Sequence, residues 1–257
     1  MTYTKFPAFP HIDPNSPFIA ESKIGVATTS ISPFKPKKAG KKTAHVVFLL
    51  DDSASMSSVR QATIDGFNEF LLGQQESDVK TFVTLYKFDG NTVKRVFEHV
   101  DVATVEPLSM NTYNPRGMTN LYDGMGYAIS AINGRLSSTK KKDRDSVTLV
   151  VLTDGMENAS RKYHSSMIKA MVEACEGKEW SFMFLGANID AFAAGSNLGF
   201  NTSNTLQYST SKMGSTMAAA SRMTRDMSMA KSAGVSANAA YAQTEFTVEE
   251  RKGADNG

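Results

Sequence analysis

Asp51, Ser53 and Ser55 stand two residues apart in the stretch Ala44 to Met56, AHVVFLLDDSASM, where an apolar run stops abruptly at two acids. One carboxylate and two hydroxyls on a turning loop are hard oxygen donors, which suit a small divalent cation such as Mg²⁺ better than a soft metal. A single strand end cannot complete six-fold coordination. Two further oxygen-bearing junctions follow in the chain. Val147 to Thr153, VTLVVLT, is a second apolar run that ends in Asp154 and Gly155. Between the two runs lies Arg116 to Asp123, RGMTNLYD, where a glycine turn presents Thr119 just before an amphipathic helix.

Such donors converge only if their strands end together. Val46 to Leu50 are apolar without alternation, the pattern of a central strand in a parallel sheet covered on both faces. In open α/β sheets the crevice beyond the carboxyl ends of the strands is where ligands bind. Around this strand, Val59 to Leu72 shows a helical apolar face at Ile64, Phe67, Phe70 and Leu71. Thr81 to Phe88 and Thr92 to Val100 alternate at period two about Asp89, Gly90 and Asn91, which predicts a hairpin with a wetter face at the sheet edge. Leu121 to Leu136 and Met167 to Ala174 read as helices, and Trp180 to Leu185 as another buried strand. Asp190 is placed to cap a short helix ending near Leu198, and Thr205 to Tyr208 forms a short final strand. Met213, Met217, Ala220, Thr224 and Met227 step by four and three, a helical stripe that reads as core packing.

With these pieces in order, the chain resembles the von Willebrand factor type A domains that carry a metal-ion-dependent adhesion site. The Asp-x-Ser-x-Ser motif stands here as Asp51, Asp52, Ser53, Ala54 and Ser55; Gly117 to Asn120 resembles the threonine loop; Asp154 before Gly155 resembles the later aspartate. Ala54 departs from the glycine common in the family, by one methyl group. The likeness runs over roughly residues 43 to 232. It implies a Rossmann-like, doubly wound, mostly parallel central sheet with one antiparallel edge strand and helices on both faces. It also implies a Mg²⁺ (or Mn²⁺) held by Asp51, Ser53, Ser55, Thr119 and Asp154, with a vacant position for a Glu or Asp carboxylate from a partner protein. The surface around that position would set specificity, through Ser57, Ser58, Tyr113, Asn114, Asn120, Met156 and Glu157. The compact chain further resembles stand-alone members from bacteria and their viruses, some of which assist assembly.

Composition bounds the remaining choices. Lys and Arg number 28 against 26 Asp and Glu, a near balance that argues against a nucleic-acid-binding protein. Cys175 is the one cysteine, which reads as a buried small hydrophobe and points to a reducing, cytoplasmic compartment, with a virion as the other setting. No segment has the length and apolarity of a signal peptide or membrane span. Residues 1–42 hold six of the eight prolines and the basic run Lys35 to Lys42, an extended arm and linker. Phe6, Phe9, Phe18, Ile19 and Phe34 in that arm suit packing on the body or on a second copy in a homo-oligomer. The domain is expected over 43–232, and residues 233–257, rich in Ala, Ser, Glu, Lys and Gly, read as a loose tail.

Two rival readings differ in class. The acidic pair Asp51 and Asp52 also resembles that of phospho-acceptor receiver domains, which would make the chain a Mg²⁺-dependent phosphoryl-transfer enzyme. Asp154 lies too far on for the acceptor of that compact fold, and neither later strand ends in lysine. Ser-His-Asp hydrolysis is poorly supported, because His11, His45, His99 and His164 are scattered, and His45 reads as structural. The reading adopted is therefore a binding module and not an enzyme. The other rival is a structural protein in which the five residues only cap helices and hold turns.

Overall fold

Each non-alternating apolar run becomes an interior strand in the computed structural model, which describes residues 42–140, 143–176 and 180–255. The strands are β1 (Ala44–Asp51), β2 (Thr81–Phe88), β3 (Val93–Asp101), β4 (Ser146–Thr153), β5 (Ser181–Ala187) and β6 (Thr205–Tyr208). They form one sheet in the order β3-β2-β1-β4-β5-β6, in which β2 and β3 pair antiparallel and every other pair is parallel. This is the expected mostly parallel sheet with one antiparallel edge strand. Every residue of β1 and β4 is buried.

Successive side chains of a strand point to opposite faces, so β1 feeds two cores. Val46, Phe48 and Leu50 join the core with Phe67, Phe70, Met217 and Met223, from α1 (Arg60–Gln75) and α5 (Met213–Ser232). Val47 and Leu49 join the core built with α2 (Leu121–Ser137), α3 (Ser165–Glu176) and α4 (Ala191–Asn197). The methionine stripe of α5 is buried core, as its spacing predicts, and Cys175 is buried. Asp190 caps α4 through the Ala193 N–H at 2.9 Å.

The hairpin forms, but the wetter face belongs to β3 alone: β2 alternates in sequence and is nearly all buried, because it lies between β3 and β1. Its polar Thr84 and Lys87 are buried with partners. The loose tail from residue 233 is corrected: α6 (Ala237–Tyr241) and α7 (Val248–Asp255) follow, and Tyr241, Phe246 and Ala254 bury into the α5 side of the core. Arg251 holds this segment to the sheet edge by donating to the carbonyls of Thr202, Ser203 and Thr205. Arg222 donates from two nitrogens to the Glu250 carboxylate at 2.5 and 2.7 Å. The proline-rich arm lies almost wholly outside the described residues. Among the described residues no helix is long and apolar enough to cross a membrane.

Candidate metal centre

Three loops meet beyond the carboxyl ends of β1 and β4, the pair at which strand order reverses. The first loop leaves β1 through Asp51, whose Oδ1 accepts the Ser53 N–H at 2.8 Å. That bond turns the chain within two residues, and the Ser53 and Ser55 hydroxyls come to 3.1 Å from each other. The second loop leaves β4 through Asp154, whose Oδ1 accepts the Ser55 hydroxyl at 2.6 Å. The third carries Thr119. A Cβ built on Gly155 would stand 3.3 Å from Thr119 Oγ1 and 3.5 Å from Ser55 Oγ, so both hydroxyls converge on that glycine.

The loops also hold one another through backbone. The Asn158 and Ala159 N–H groups donate to the Thr119 carbonyl at 2.9 and 3.1 Å, and the Thr119 N–H donates to Asn158 Oδ1 at 2.9 Å. The Ala54 N–H donates to the Gly117 carbonyl at 3.2 Å, tying the first loop to the third. Gly117 has φ +74°, and a Cβ there would lie 2.3 Å from the Asp89 carbonyl oxygen, so only glycine passes at this point. All five predicted donors thus gather in one cluster from three loops.

Charge at the cluster is unbalanced. Burial pushes the Asp51 carboxyl up to about 6; bonds from Thr153 and Ser53 oppose this, and the nearby charge of Asp154 adds to it. Burial likewise raises Asp154, against the bond from Ser55. At the end of β6 the Tyr208 hydroxyl is buried and has no hydrogen-bond partner among the described residues. Burial, then the charges of Asp154 and Asp51, hold it well above its ordinary range. Two buried acids and three converging hydroxyls form a donor set that fits a hydrated hard dication, whose charge would offset both acids.

Asp52 stands apart from this set. Its Oδ2 accepts from Lys87 Nζ at 2.6 Å, and the same ammonium donates to the Thr112 carbonyl at 2.9 Å. Lys87 is therefore committed to Asp52 and to the Leu108 to Gly117 loop. The Asp52 carbonyl accepts the Arg116 N–H at 2.7 Å, so this residue holds the third loop in place.

Sequence reasoning missed two supports and one buried phenol. Thr153 Oγ1 donates to Asp51 Oδ2 at 2.6 Å, and the signal was a lone hydroxyl closing an apolar run before Asp154. Tyr113, expected on the rim, is fully buried and donates its hydroxyl to the Asp51 carbonyl at 2.7 Å. Tyr208 gave no signal beyond its place at a strand end. Asn120, also expected on the rim, is buried and accepts the Gly90 N–H at 2.9 Å. Both Glu157 oxygens are taken, Oε1 by the Ala159 and Ser160 N–H groups and Oε2 by the Tyr122 N–H and the Ser160 hydroxyl.

A second titratable group sits at the opposite, amino-terminal end of the strands. His45, His99 and Asp145 bring ligand atoms within 4.8 Å of one another. Arg135 already lies among them, with Nη2 2.9 Å from His45 Nδ1 and 2.8 Å from Asp145 Oδ2. A guanidinium fills the place and charge a cation would take, so this cluster does not suit a metal.

The chain matches the family model of the von Willebrand factor type A domain over residues 45–231. It is 28% identical over 151 residues to inter-alpha-trypsin inhibitor heavy chain H3 of Homo sapiens, covering 56% of this chain and 16% of that protein. The same protein of Pongo abelii is 26% identical over 151 residues, covering 56% and 17%. The chain therefore spans under a fifth of the length of these relatives. Proximal thread matrix protein 1 from the mussel byssus superposes with a TM-score of 0.52 at 14% identity, covering 73% of this chain and 48% of that one. The pilus adhesin SpaC from Lactobacillus rhamnosus GG gives 0.51 at 12% identity, covering 73% and 31%. At these identities the two structures are similar to this chain in fold.

Proposed function

The chain belongs to the von Willebrand factor type A domain family, and we propose that it acts as a metal-dependent protein-binding module serving recruitment or assembly. A divalent cation, Mg²⁺ or Mn²⁺, is held by Asp51, Ser53, Ser55, Thr119 and Asp154. A partner protein supplies a Glu or Asp carboxylate. The observation that carries this reading is the pair of buried acids beneath converging hydroxyls, Asp154 accepting from Ser55 and Asp51 from Thr153, with the nearby Lys87 committed elsewhere.

A bound dication would supply Lewis acidity for a carboxylate oxygen, because two acidic and three neutral protein donors do not exceed its charge. The remaining work falls to this chain. Thr153 and the Ser53 N–H fix both oxygens of Asp51. Ser55 ties the first loop to Asp154. Tyr113 holds the strand end from below. None of these groups is assigned a covalent or proton-transfer step.

The test is a pull-down from a lysate of the source cells with Mg²⁺ or with EDTA, beside Asp51→Ala with its fold confirmed by circular dichroism. A partner kept only by the wild type in Mg²⁺ supports metal-gated recognition. A partner kept equally in every condition refutes it.

A further inference from the structure

The loops around the metal centre expose large apolar side chains of one type. Met110, Met118 and Met156 are 50%, 54% and 73% exposed. The other exposed large hydrophobics, Leu72, Val96, Tyr127, Met167, Phe192 and Val248, all sit on helices or on the edge strand β3. Met118 immediately precedes Thr119, and Met156 follows Gly155, the residue on which the Thr119 and Ser55 hydroxyls converge. The two loops are locked by the exchange between Thr119 and Asn158, so both methionines are anchored beside the donors. Met110 lies earlier on the connection that carries Met118, and Arg60 grips it by donating to the carbonyls of Met110 and Tyr113.

The charges on this rim favour an anion. Glu157 is saturated by four donors, and the Asp123 carboxylate accepts the N–H groups of Arg161, Lys162 and Tyr163. The side chains of Arg161 and Lys162 are exposed, and that of Arg116 is 74% exposed. Arg116 pairs with Asp89 only at 3.6 Å, so an acidic group approaching the centre meets exposed cations and acids already bound.

Resting on the metal-dependent reading above, we propose that the partner presents an extended segment in which one Glu or Asp is flanked on both sides by large apolar side chains. The acid goes to the cation, and Met118 and Met156 cover the flanking side chains. An unbranched thioether repacks around differently shaped neighbours, so the rim selects the pattern rather than one fixed sequence. Leucine or isoleucine at these positions would demand one shape.

The probes are two capped peptides of equal charge, Gly-Leu-Glu-Leu-Gly and Gly-Ser-Glu-Ser-Gly, with the Gln analogue of the first. They are titrated into the full chain with Mg²⁺ or EDTA, and methyl-¹³C methionine signals are followed by NMR. The leucine peptide is expected to bind about tenfold tighter than the serine peptide and to shift the Met118 and Met156 methyls. In the double variant Met118→Ser, Met156→Ser the gap is expected to shrink to within about twofold, with Mg²⁺ affinity unchanged. Equal, Mg²⁺-dependent binding of both Glu peptides would overturn the apolar rim and leave the metal reading standing. Leucine-peptide binding that survives EDTA or the Gln replacement would overturn both. Methionine shifts that follow protein concentration without peptide would assign the rim to a second copy and overturn the proposal.

Discussion

Opposite ends of the same two strands, β1 and β4, carry clusters built from similar parts and balanced in opposite ways. At the amino end, Asp145 accepts from Arg135, from His99 at 2.8 Å and from the Thr43 hydroxyl. Arg135 also donates to His45 Nδ1, which leaves the proton on Nε2 for Thr84 Oγ1 at 2.7 Å. Every charge there has a counter-charge inside the protein. At the carboxyl end, Asp51 accepts from the Thr153 hydroxyl and Asp154 from the Ser55 hydroxyl, and Lys87 is paired with Asp52 instead. A cluster closed on itself is a clasp; one left with surplus charge and converging oxygens is open to a cation.

The first way to break this comparison is to remove the internal cation. Arg135→Leu leaves the buried His45 imidazole without its donor and the Asp145 carboxylate without its guanidinium, and should cost about 3 kcal/mol in urea unfolding while leaving Mg²⁺ affinity unchanged. An equal loss of Mg²⁺ affinity would show that the two ends are not independent.

Acid tests the same clasp. Burial, then the charge of Arg135, holds the His45 pKa down to about 3, from an ordinary 6.5. Between those values the unfolded chain binds a proton that the folded chain refuses. Stability from His45 is therefore complete above about 6.5 and is lost as pH falls. From pH 7 to pH 5 that loss is about 2 kcal/mol. His45→Gln should flatten that part of the profile; an unchanged slope would contradict the assignment.

Smaller effects sharpen the carboxyl end. Thr153→Val removes the donor to Asp51 Oδ2 without removing a predicted ligand, and should weaken Mg²⁺ binding by about tenfold in calorimetry. Ser58→Ala should change stability by less than about 0.5 kcal/mol and leave Mg²⁺ binding alone. Its hydroxyl is exposed and donates only to the Ser55 carbonyl, at 3.2 Å. A large effect there would mean the serine run acts as a whole rather than through Ser53 and Ser55.

What could be read from the chain follows from where each signal lies. Asp51, Ser53, Ser55, Thr119 and Asp154 were legible because each stands where an apolar or helical pattern stops, and a strand end locates its neighbour residue by residue. Thr153 and Tyr208 belong to strands, where a hydroxyl reads as ordinary β-former chemistry. The clasp was hidden for another reason: His45 meets Arg135 and Asp145 some ninety to a hundred residues later, and spacing along the chain carries no trace of that pairing. The last segment misled by composition. Its Ala, Ser and Glu suggest solvent, yet Tyr241, Phe246 and Ala254 bury it and Arg251 fastens it, a few anchors in a polar background.

The most direct test of the central claim is isothermal titration of Mg²⁺ into the wild type and into Asp51→Ala at neutral pH. The account predicts one ion per wild-type chain and affinity lower by at least about a hundredfold in the variant, more than loss of a supporting residue costs. Equal affinity in the two proteins would contradict it, and would leave the five residues as caps and turns.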